Sequence, residues 1–271
     1  MMAFATFEGS RVSYKVDGSG PALVLIHGTG GDAETNWGAL TERLQTNWTL
    51  VRPDYSGSGE TTDDGRELSV DYVAEQVLAA VDAAGIERFH LMGFSLGALI
   101  AAWIGARQPE RVKSLILLAG FQSADDVRAR LQFGLWEHLI RTDREAMARL
   151  VMMTGFSSAA LAAMGEEGVR EAVAMIASTS NWDGMARQIA LDLKIDVREE
   201  VQRLRQPVLV VGCRQDQMIP PLHSEFLAEA IVGAERAELD SGHLAPMECP
   251  DELAVLVSGF LRRREESAGD G

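Results

Sequence analysis

The sequence predicts an α/β protein built on a mostly parallel, eight-stranded sheet with helices on both faces and an inserted helical cap. Two observations predict the sheet: short apolar runs that end in turn residues, and segments of helical periodicity that alternate with them. A third observation predicts the cap, since the stretch 122–206 contains helical patterns and no convincing strand. With 271 residues, the chain is long enough to bury a large core.

The N-terminal part begins with two candidate strands, "FATFEG" and "RVSYKVDG", and the second alternates apolar and polar residues. The run "ALVLIHG" is continuously apolar up to Gly28, which is typical of a strand buried on both faces. "TLVRPDYSGSG" reads as a fourth strand that leads into a turn. In "SVDYVAEQVLAAVDAAG" the apolar residues recur at helical spacing, and the pattern stops at Gly85.

The alternation then continues with the strand "RFHLMG", the helix "SLGALIAAWIGARQ" and the strand "VKSLILLAG". After the all-helical stretch come the strand "PVLVVG", the helix "SEFLAEAIV", the strand "AERAELD" and the closing helix "ELAVLVSGFLRR". Strands that alternate with helices in this way predict parallel pairing, with the helices covering both faces of the sheet.

The stretch 122–206 interrupts this rhythm with the helical patterns "DVRARLQFGLWEHLI", "REAMARLVMMTG" and "VREAVAMIAS". A crossover between parallel strands needs only about a dozen residues, so ordinary crossover helices explain the length less well than an insertion. We therefore predict a core formed by 1–121 and 207–271, with 122–206 as a helical cap.

Charge and composition exclude several classes of partner. Lys and Arg number 25 against 40 Asp and Glu, a formal net charge of −15, which repels nucleic acid and anionic membrane surfaces. The sequence has no apolar stretch of about 20 residues and no N-terminal signal pattern. Its two cysteines form no CxxC pair. We expect a cytoplasmic protein with reduced thiols and no nucleic-acid or membrane partner, and a homodimer stays open.

The segment "GFSLG" places Ser95 between Gly93 and Gly97, where a predicted strand passes into a predicted helix. A nucleophile elbow needs this context, because the serine must stand on a sharp turn and the crowded backbones require small neighbours. The backbone N–H of Leu96, at the start of the helix, can then bind an anion. The pentapeptide is short enough to occur by chance, so the rest of the chain has to supply the evidence.

The loop "IHGTGG" follows a buried strand and is placed to supply a second anion-binding donor, the N–H of Thr29. A phosphate-binding loop is the competing interpretation, but no GK[ST] follows and the G-x-G-x-x-G spacing fails at Ala33. His27, in the same loop, is interpreted as a structural histidine.

Two further residues complete the pattern in chain order. Asp216 comes just after the strand "PVLVVG", where an acid can orient a histidine, although a turn-capping aspartate is common at such positions. His243 lies in a glycine-containing loop between the last strand and the last helix, so it is the best-placed general base among the histidines. His223 is the second choice, while His90 is expected to pack inside its strand and His138 falls in the helical stretch.

At these residues the chain resembles the α/β-hydrolase family, and the resemblance covers nearly the whole sequence. The matching segments are "HGTGG", "DYSGSGE", "GFSLG", "GCRQDQMIP" and "SGH". The resemblance implies Ser95 as nucleophile, His243 as general base and acid, Asp216 as the orienting acid, and 122–206 as the variable cap. It also implies that the turn containing Asp54, Gly57 and Gly59 is structural. Relatives that open epoxides or displace halide carry a carboxylate at the elbow, so those reactions are disfavoured here.

We therefore predict an enzyme that transfers an acyl group to water, with no metal and no organic cofactor. The predicted substrate is a carboxylic ester or lactone of small-to-medium apolar character, and Trp136, Met153 and Trp182 are candidate pocket residues. An acyl thioester ranks second. Amide or carbon–carbon bond hydrolysis, lyase or cyclase chemistry, and a ligand-binding module on the same fold stay open.

Overall fold

The structure is a computed structural model that describes residues 2–269. Its eight strands form one sheet in the order β1-β2-β4-β3-β5-β6-β7-β8. The pairs β1–β2 and β2–β4 are antiparallel, and all the other neighbours pair parallel. This confirms the predicted mostly parallel, eight-stranded sheet. The strands are β1 Met2–Phe7, β2 Ser10–Asp17, β3 Ala22–Ile26, β4 Thr49–Pro53, β5 Phe89–Phe94, β6 Val112–Leu118, β7 Val208–Cys213 and β8 Glu235–Leu239.

Eleven helices accompany the sheet within the described residues. Four of them were not predicted individually from the sequence. Three of these, α1, α8 and α10, are short and have too few turns to show a clear apolar period. The fourth is α7, which lies within the stretch predicted as helical. The helices are α1 Gly38–Leu44, α2 Val70–Ala83, α3 Leu96–Arg107, α4 Val127–Thr142, α5 Arg144–Gly155, α6 Ser158–Thr179, α7 Trp182–Asp192, α8 Arg198–Arg203, α9 Pro221–Ala230, α10 Ala245–Glu248 and α11 Pro250–Gly269.

The central strands are apolar throughout because both of their faces are covered. In β3, Val24 and Ile26 belong to the core on one face of the sheet, whereas Leu23 and Leu25 belong to the core on the other. Successive side chains of a strand point to opposite faces, so a continuous apolar run feeds both cores. The edge strand β8 is different. Partly exposed and exposed residues alternate along it, and only the last one, Leu239, is buried.

Helices α4 to α8 occupy the stretch 122–206 between β6 and β7. An isolated bridge joins Ser123 to Asp196, and the Val197 amide donates to the carbonyl of Gln122 at 2.9 Å. The chain therefore leaves the sheet and returns to it at one place. Helix α8 follows this return and contacts the core helix α3 through Arg107 and Glu200, whose side chains lie 2.9 Å apart.

The turn after β4 is built as a structural support. Asp54 accepts hydrogen bonds from the Ala33 amide at 2.7 Å and from the Ser13 hydroxyl at 3.0 Å, so it ties three segments together. Gly59 comes so close that a Cβ there would lie 2.2 Å from the Asp54 carboxylate. The carboxyl ends of β3, β5, β7 and β8 meet at this side of the sheet, which is where ligands bind in open parallel sheets.

Candidate active site

Ser95 stands on a strained turn between β5 and α3. Its backbone has φ 54° and ψ −122°, a conformation that residues other than glycine rarely adopt. The two flanking glycines make the turn feasible: a Cβ on Gly93 would lie 2.0 Å from the carbonyl oxygen of Gly97, and one on Gly97 would lie 2.2 Å from that of Ile26. The small residues predicted beside the serine are therefore a steric requirement of this turn.

The Ser95 hydroxyl faces a cavity. The backbone N–H of Ser95 donates to Leu118 O at 2.9 Å, which fixes the turn against β6. Among the described residues, Ser95 Oγ has no hydrogen-bond partner, so the hydroxyl is free to rotate toward a bound molecule or toward the nearby imidazole.

His243 and Asp216 form a buried pair on the loops after β8 and β7. His243 Nδ1–H donates to Asp216 Oδ2 at 2.6 Å. The other carboxylate oxygen, Oδ1, accepts from the amides of Met218 and Ile219 at 2.8 and 2.7 Å. The carboxylate is thereby held in one orientation, and because Nδ1 is engaged, Nε2 is the nitrogen left for proton transfer.

The loop that carries His243 is held against the helical stretch. The Leu244 amide donates to Gly155 O at 2.8 Å, and a Cβ on Gly242 would lie 2.5 Å from the same oxygen. The imidazole ring packs against Phe94, with ring centroids 4.9 Å apart. His243 and Ser95 line the same cavity, although no hydrogen bond joins their side chains in this structure.

Two backbone amides beside Ser95 are unpaired. In the loop after β3, the amides of Gly28 and Gly30 donate to Asn36 Oδ1 at 2.9 Å and to Gln188 Oε1 at 2.7 Å. The Thr29 amide between them has no partner among the described residues, and neither has the Leu96 amide at the first position of α3. These are the two donors that the sequence predicted for an oxyanion hole.

The cavity above Ser95 has a volume of about 320 Å³ and mostly apolar walls. Trp136 and Trp182, two of the three candidate pocket residues, line it. None of the lining residues is Asp, Glu, Lys or Arg, and His243 is the one histidine among them. Six methionines contribute to the walls: Met152, Met164, Met175, Met185, Met218 and Met247.

Met153, the third predicted pocket residue, lies outside this cavity. Its side chain is 56% exposed and lines a separate surface groove of about 960 Å³ between α5 and α6. The preceding residue, Met152, is buried and reaches the serine cavity instead. Neighbouring residues of a helix point about 100° apart, so only one of the two can face the cavity.

The sequence analysis missed two polar residues of α7. Gln188 accepts from the Gly30 amide, and Asp192 Oδ2 accepts from the Thr29 hydroxyl at 2.7 Å. Burial raises the pKa of Asp192 to about 8. Gln188 and Asp192 stand four residues apart on the same face as Met185 and Ile189, so two polar residues on an apolar helix face were the available signal.

Three of the other four histidines, His27, His90 and His223, have surroundings that give them no place at the serine cavity. His27 is stacked on Tyr55 with centroids 4.1 Å apart, its Nδ1–H donates to Gly28 O at 2.8 Å, and burial lowers its pKa. His90 lies 2.8 Å from both Ser114 Oγ and Glu265 Oε1, and burial likewise lowers its pKa. Burial also lowers the pKa of His223, which faces Asp126 at 3.9 Å. None of the three lines the serine cavity.

No helix within residues 2–269 has the length and apolar character needed to cross a membrane. The same residues contain no group of three or more His, Cys, Asp or Glu side chains arranged to hold a metal ion.

Comparisons with known proteins cover almost the whole chain. A sequence model of the alpha/beta hydrolase fold matches residues 21–250. The chain is 48% identical over 252 residues to the pyrrolizixenacetamide deacetylase of Xenorhabdus hominickii, covering 93% of this chain and 95% of that protein. It is 26% identical over 264 residues to the pimeloyl-[acyl-carrier protein] methyl ester esterase of Aeromonas salmonicida, covering 92% of this chain and 99% of the esterase. The crystal structure of the enol-lactonase from Burkholderia xenovorans LB400 superposes with a TM-score of 0.85 at 25% identity, covering 96% of this chain and 100% of the lactonase.

Proposed function

The chain belongs to the α/β-hydrolase family, and from that premise we propose that it is a serine hydrolase that cleaves the acyl bond of a small, uncharged, apolar amide or ester. One observation carries the proposal: Ser95, Thr29 and the Asp216-paired His243 line one apolar cavity, and the backbone amides of Thr29 and Leu96 are unpaired. This set supplies a nucleophile, a base and an electrophilic site, which together are the requirements of acyl transfer.

In the first half of the reaction, Ser95 Oγ attacks the substrate carbonyl carbon while its proton passes to His243 Nε2. The oxygen of the tetrahedral intermediate accepts hydrogen bonds from the Thr29 and Leu96 amides, which are rigid and need no reorganisation. The bond to the leaving group then breaks, and the leaving amine or alkoxide takes the proton from His243. An acyl-serine remains.

In the second half, a water molecule gives a proton to His243 and attacks the acyl-serine carbonyl. The second tetrahedral intermediate collapses with cleavage of the bond to Ser95 Oγ, which recovers its proton from the imidazole. Asp216 holds the imidazole in the tautomer that exposes Nε2 and stabilises its charged form during both halves. The products are a carboxylic acid and an amine or alcohol.

The walls of the cavity support an uncharged substrate. Transfer of an ion into a site lined by methionine and tryptophan costs free energy that no lysine, arginine or acidic side chain of the lining offsets. A coenzyme A thioester, with its phosphates, fits such a site poorly. We further propose that 122–206 acts as the cap, because Phe133, Trp136 and Trp182 from this stretch face the serine across the cavity.

The choice between amide and ester depends on the leaving group. The relative with 48% identity is a deacetylase named for an acetamide, and the esterase is more distant at 26%. We therefore propose an N-acetyl amide ahead of the ester or lactone that the sequence predicted. Amide cleavage places a greater demand on His243, because an amine leaves only after it is protonated.

The test compares p-nitrophenyl acetate with p-nitroacetanilide, which share the acetyl group and differ in the leaving atom, with a simple lactone and an acetyl thioester measured alongside. We expect turnover of the acetate ester and of the anilide, and loss of both in Ser95→Ala. Folded protein that turns over none of these acyl compounds would contradict the proposal.

A further inference from the structure

Helix α7 accepts two hydrogen bonds from the loop that carries the Thr29 amide, one from the Thr29 side chain and one from the next amide. The Thr29 hydroxyl donates to Asp192 Oδ2 at 2.7 Å. The Gly30 amide donates to Gln188 Oε1, also at 2.7 Å. Both acceptors lie 158 or more residues further along the chain and belong to the helical stretch rather than to the sheet.

Gln188 is itself fixed. Its side-chain amide donates to Ser56 O at 3.1 Å and to Ser58 Oγ at 2.9 Å on the turn after β4. One turn earlier in the helix, Gly184 is so close to this turn that a Cβ there would lie 2.1 Å from Gly57 O. Helix α7 therefore rests on a rigid support, and its hydrogen bonds to the loop have a defined direction.

These contacts define the conformation of Thr29. The direction of the Thr29 N–H follows from the backbone torsions of Gly28 and Thr29 on either side of it, and Gly28, without a Cβ, does little to restrict them. A hydrogen bond through the Thr29 side chain and another through the next amide hold this part of the loop in one geometry. The Thr29 amide is unpaired, and Thr29 lines the cavity.

We propose that Asp192 and Gln188 are positioning residues for the oxyanion hole, so that the helical stretch completes the catalytic site as well as covering it. This inference rests on the proposed function, because it assigns a role to residues that act through the Thr29 amide. Neither side chain lines the serine cavity, so neither touches the substrate.

The surroundings of Asp192 give this role a pH dependence. The carboxyl is fully buried, its Oδ1 has no hydrogen-bond partner, and burial raises its pKa to about 8. The titratable group that faces it is the phenol of Tyr55, behind which lie Asp54 and His27. The cation nearest in sequence, Lys194, pairs with Glu67 at the surface.

Ionisation of Asp192 above about pH 8 places an uncompensated negative charge directly behind the residue whose amide has to stabilise an oxyanion. The turnover number should therefore fall as the pH rises through this value. A purely structural contact would lower the stability over this pH range but leave the kcat of the folded protein unchanged.

The experiment measures kcat and KM for p-nitrophenyl acetate between pH 6 and 9.5, with spontaneous hydrolysis subtracted. The variants are Thr29→Val, Thr29→Ser, Asp192→Ala and Asp192→Asn. Asp183→Asn is the matched control, because Asp183 lies on the same helix with its side chain 98% exposed. Circular dichroism and thermal unfolding establish that each variant is folded.

We expect Thr29→Val and Asp192→Ala to lower kcat by about 10-fold or more with little change in KM, since loss of a whole oxyanion donor lowers it by about 10² to 10³. The double variant should be little worse than either single one, because both break one hydrogen bond. Thr29→Ser should recover most of the loss. Asp192→Asn keeps an acceptor but cannot ionise. Its kcat should therefore be higher than that of Asp192→Ala and should not fall above pH 8.

Two results would overturn the inference. One is that folded Thr29→Val and Asp192→Ala keep kcat within about twofold of the parent protein. The other is that the fall above pH 8 persists in Asp192→Asn. Failure of the proposed function gives a different result, namely that the unmodified protein neither turns over the ester nor reacts with a fluorophosphonate, and the inference fails with it.

Discussion

At the scale of single residues, two buried carboxyl groups show how surroundings assign different roles to one side chain. Asp216 accepts three hydrogen bonds, one of them from His243. Asp192 accepts one, from a threonine hydroxyl, and its second oxygen is left without a partner. The first arrangement suits a group that orients an imidazole, and the second suits a group that stays protonated at neutral pH.

The protonated state of Asp192 predicts a specific pH dependence of stability. The pKa rises from 3.8 to about 8 on folding, so the stabilisation is fully present below about pH 4 and is lost as the pH rises through 8. Asp192→Asn cannot ionise, and its free energy of unfolding relative to the parent should therefore increase across this window by a few kcal/mol. Denaturant unfolding at pH 4.5, 6, 7.5 and 9 measures the difference. A difference that does not change with pH would contradict the assignment, and Asp183→Asn should show no such trend.

The histidine assignment predicts unequal effects of equal substitutions. His243→Ala removes the proposed base and should abolish nearly all turnover of p-nitrophenyl acetate, whereas His223→Ala, outside the cavity, should keep most of it. Asp216→Asn should lower kcat by about 10⁴ because the amide favours the wrong imidazole tautomer. Adding it to His243→Ala should do little more, because the groups act as a unit. An inactive His223→Ala beside an active His243→Ala would reverse the assignment.

Sequence reasoning could nominate Ser95, Asp216 and His243 because each follows a predicted strand. It could not reach Asp192, since the contact with Thr29 joins residues 163 positions apart and depends on how α7 packs. The one local signal for this contact is that Gln188 and Asp192 are polar residues on an otherwise apolar face of α7. Met152 and Met153 were indistinguishable for a similar reason, because the rotation of α5 about its axis is set by tertiary packing.

At the scale of elements, the close approach of β5 and α3 makes two glycines irreplaceable. A Cβ on Gly93 would lie 2.0 Å from a backbone oxygen, which cannot move aside as a flexible side chain would. Gly93→Ala should therefore lower the free energy of unfolding by several kcal/mol or prevent folding. Gly134→Ala is the control, since a Cβ there meets no atom within 4 Å and alanine favours the helix by up to about 1 kcal/mol. Urea denaturation measures both, and a Gly93→Ala protein as stable as the parent would show that the turn has been misassigned.

Because Met152 and Met153 lie on different faces of α5, their substitution should affect substrate preference differently. Met152→Ala enlarges the serine cavity and should shift the kcat/KM preference among p-nitrophenyl esters toward longer acyl chains. Met153→Ala changes the exposed neighbour and should leave the preference as it is. Equal shifts in both variants, with unfolding temperatures showing both to be folded, would mean that α5 faces the cavity differently.

At the scale of the whole molecule, the proposed site gathers residues from positions 29 to 243 at one side of the sheet. The fold class could be predicted because the central strands carry apolar runs of their own and the parallel arrangement follows from the helices between them. The strand order could not, because β4 lies between β2 and β3 through pairings that no local pattern encodes. The return of the chain at Ser123 and Asp196 is likewise a long-range contact.

The central claim is that Ser95 forms a covalent bond during the reaction, and labelling tests it most directly. A fluorophosphonate should phosphonylate Ser95 Oγ with loss of fluoride, because the attack needs the same base and amide donors as the proposed acyl transfer. Peptide mapping by mass spectrometry should place one adduct on the peptide that contains "GFSLG", and Ser95→Ala, with an unchanged circular dichroism spectrum, should give none. Folded protein that stays unlabelled, or an adduct on a different residue, would contradict the account.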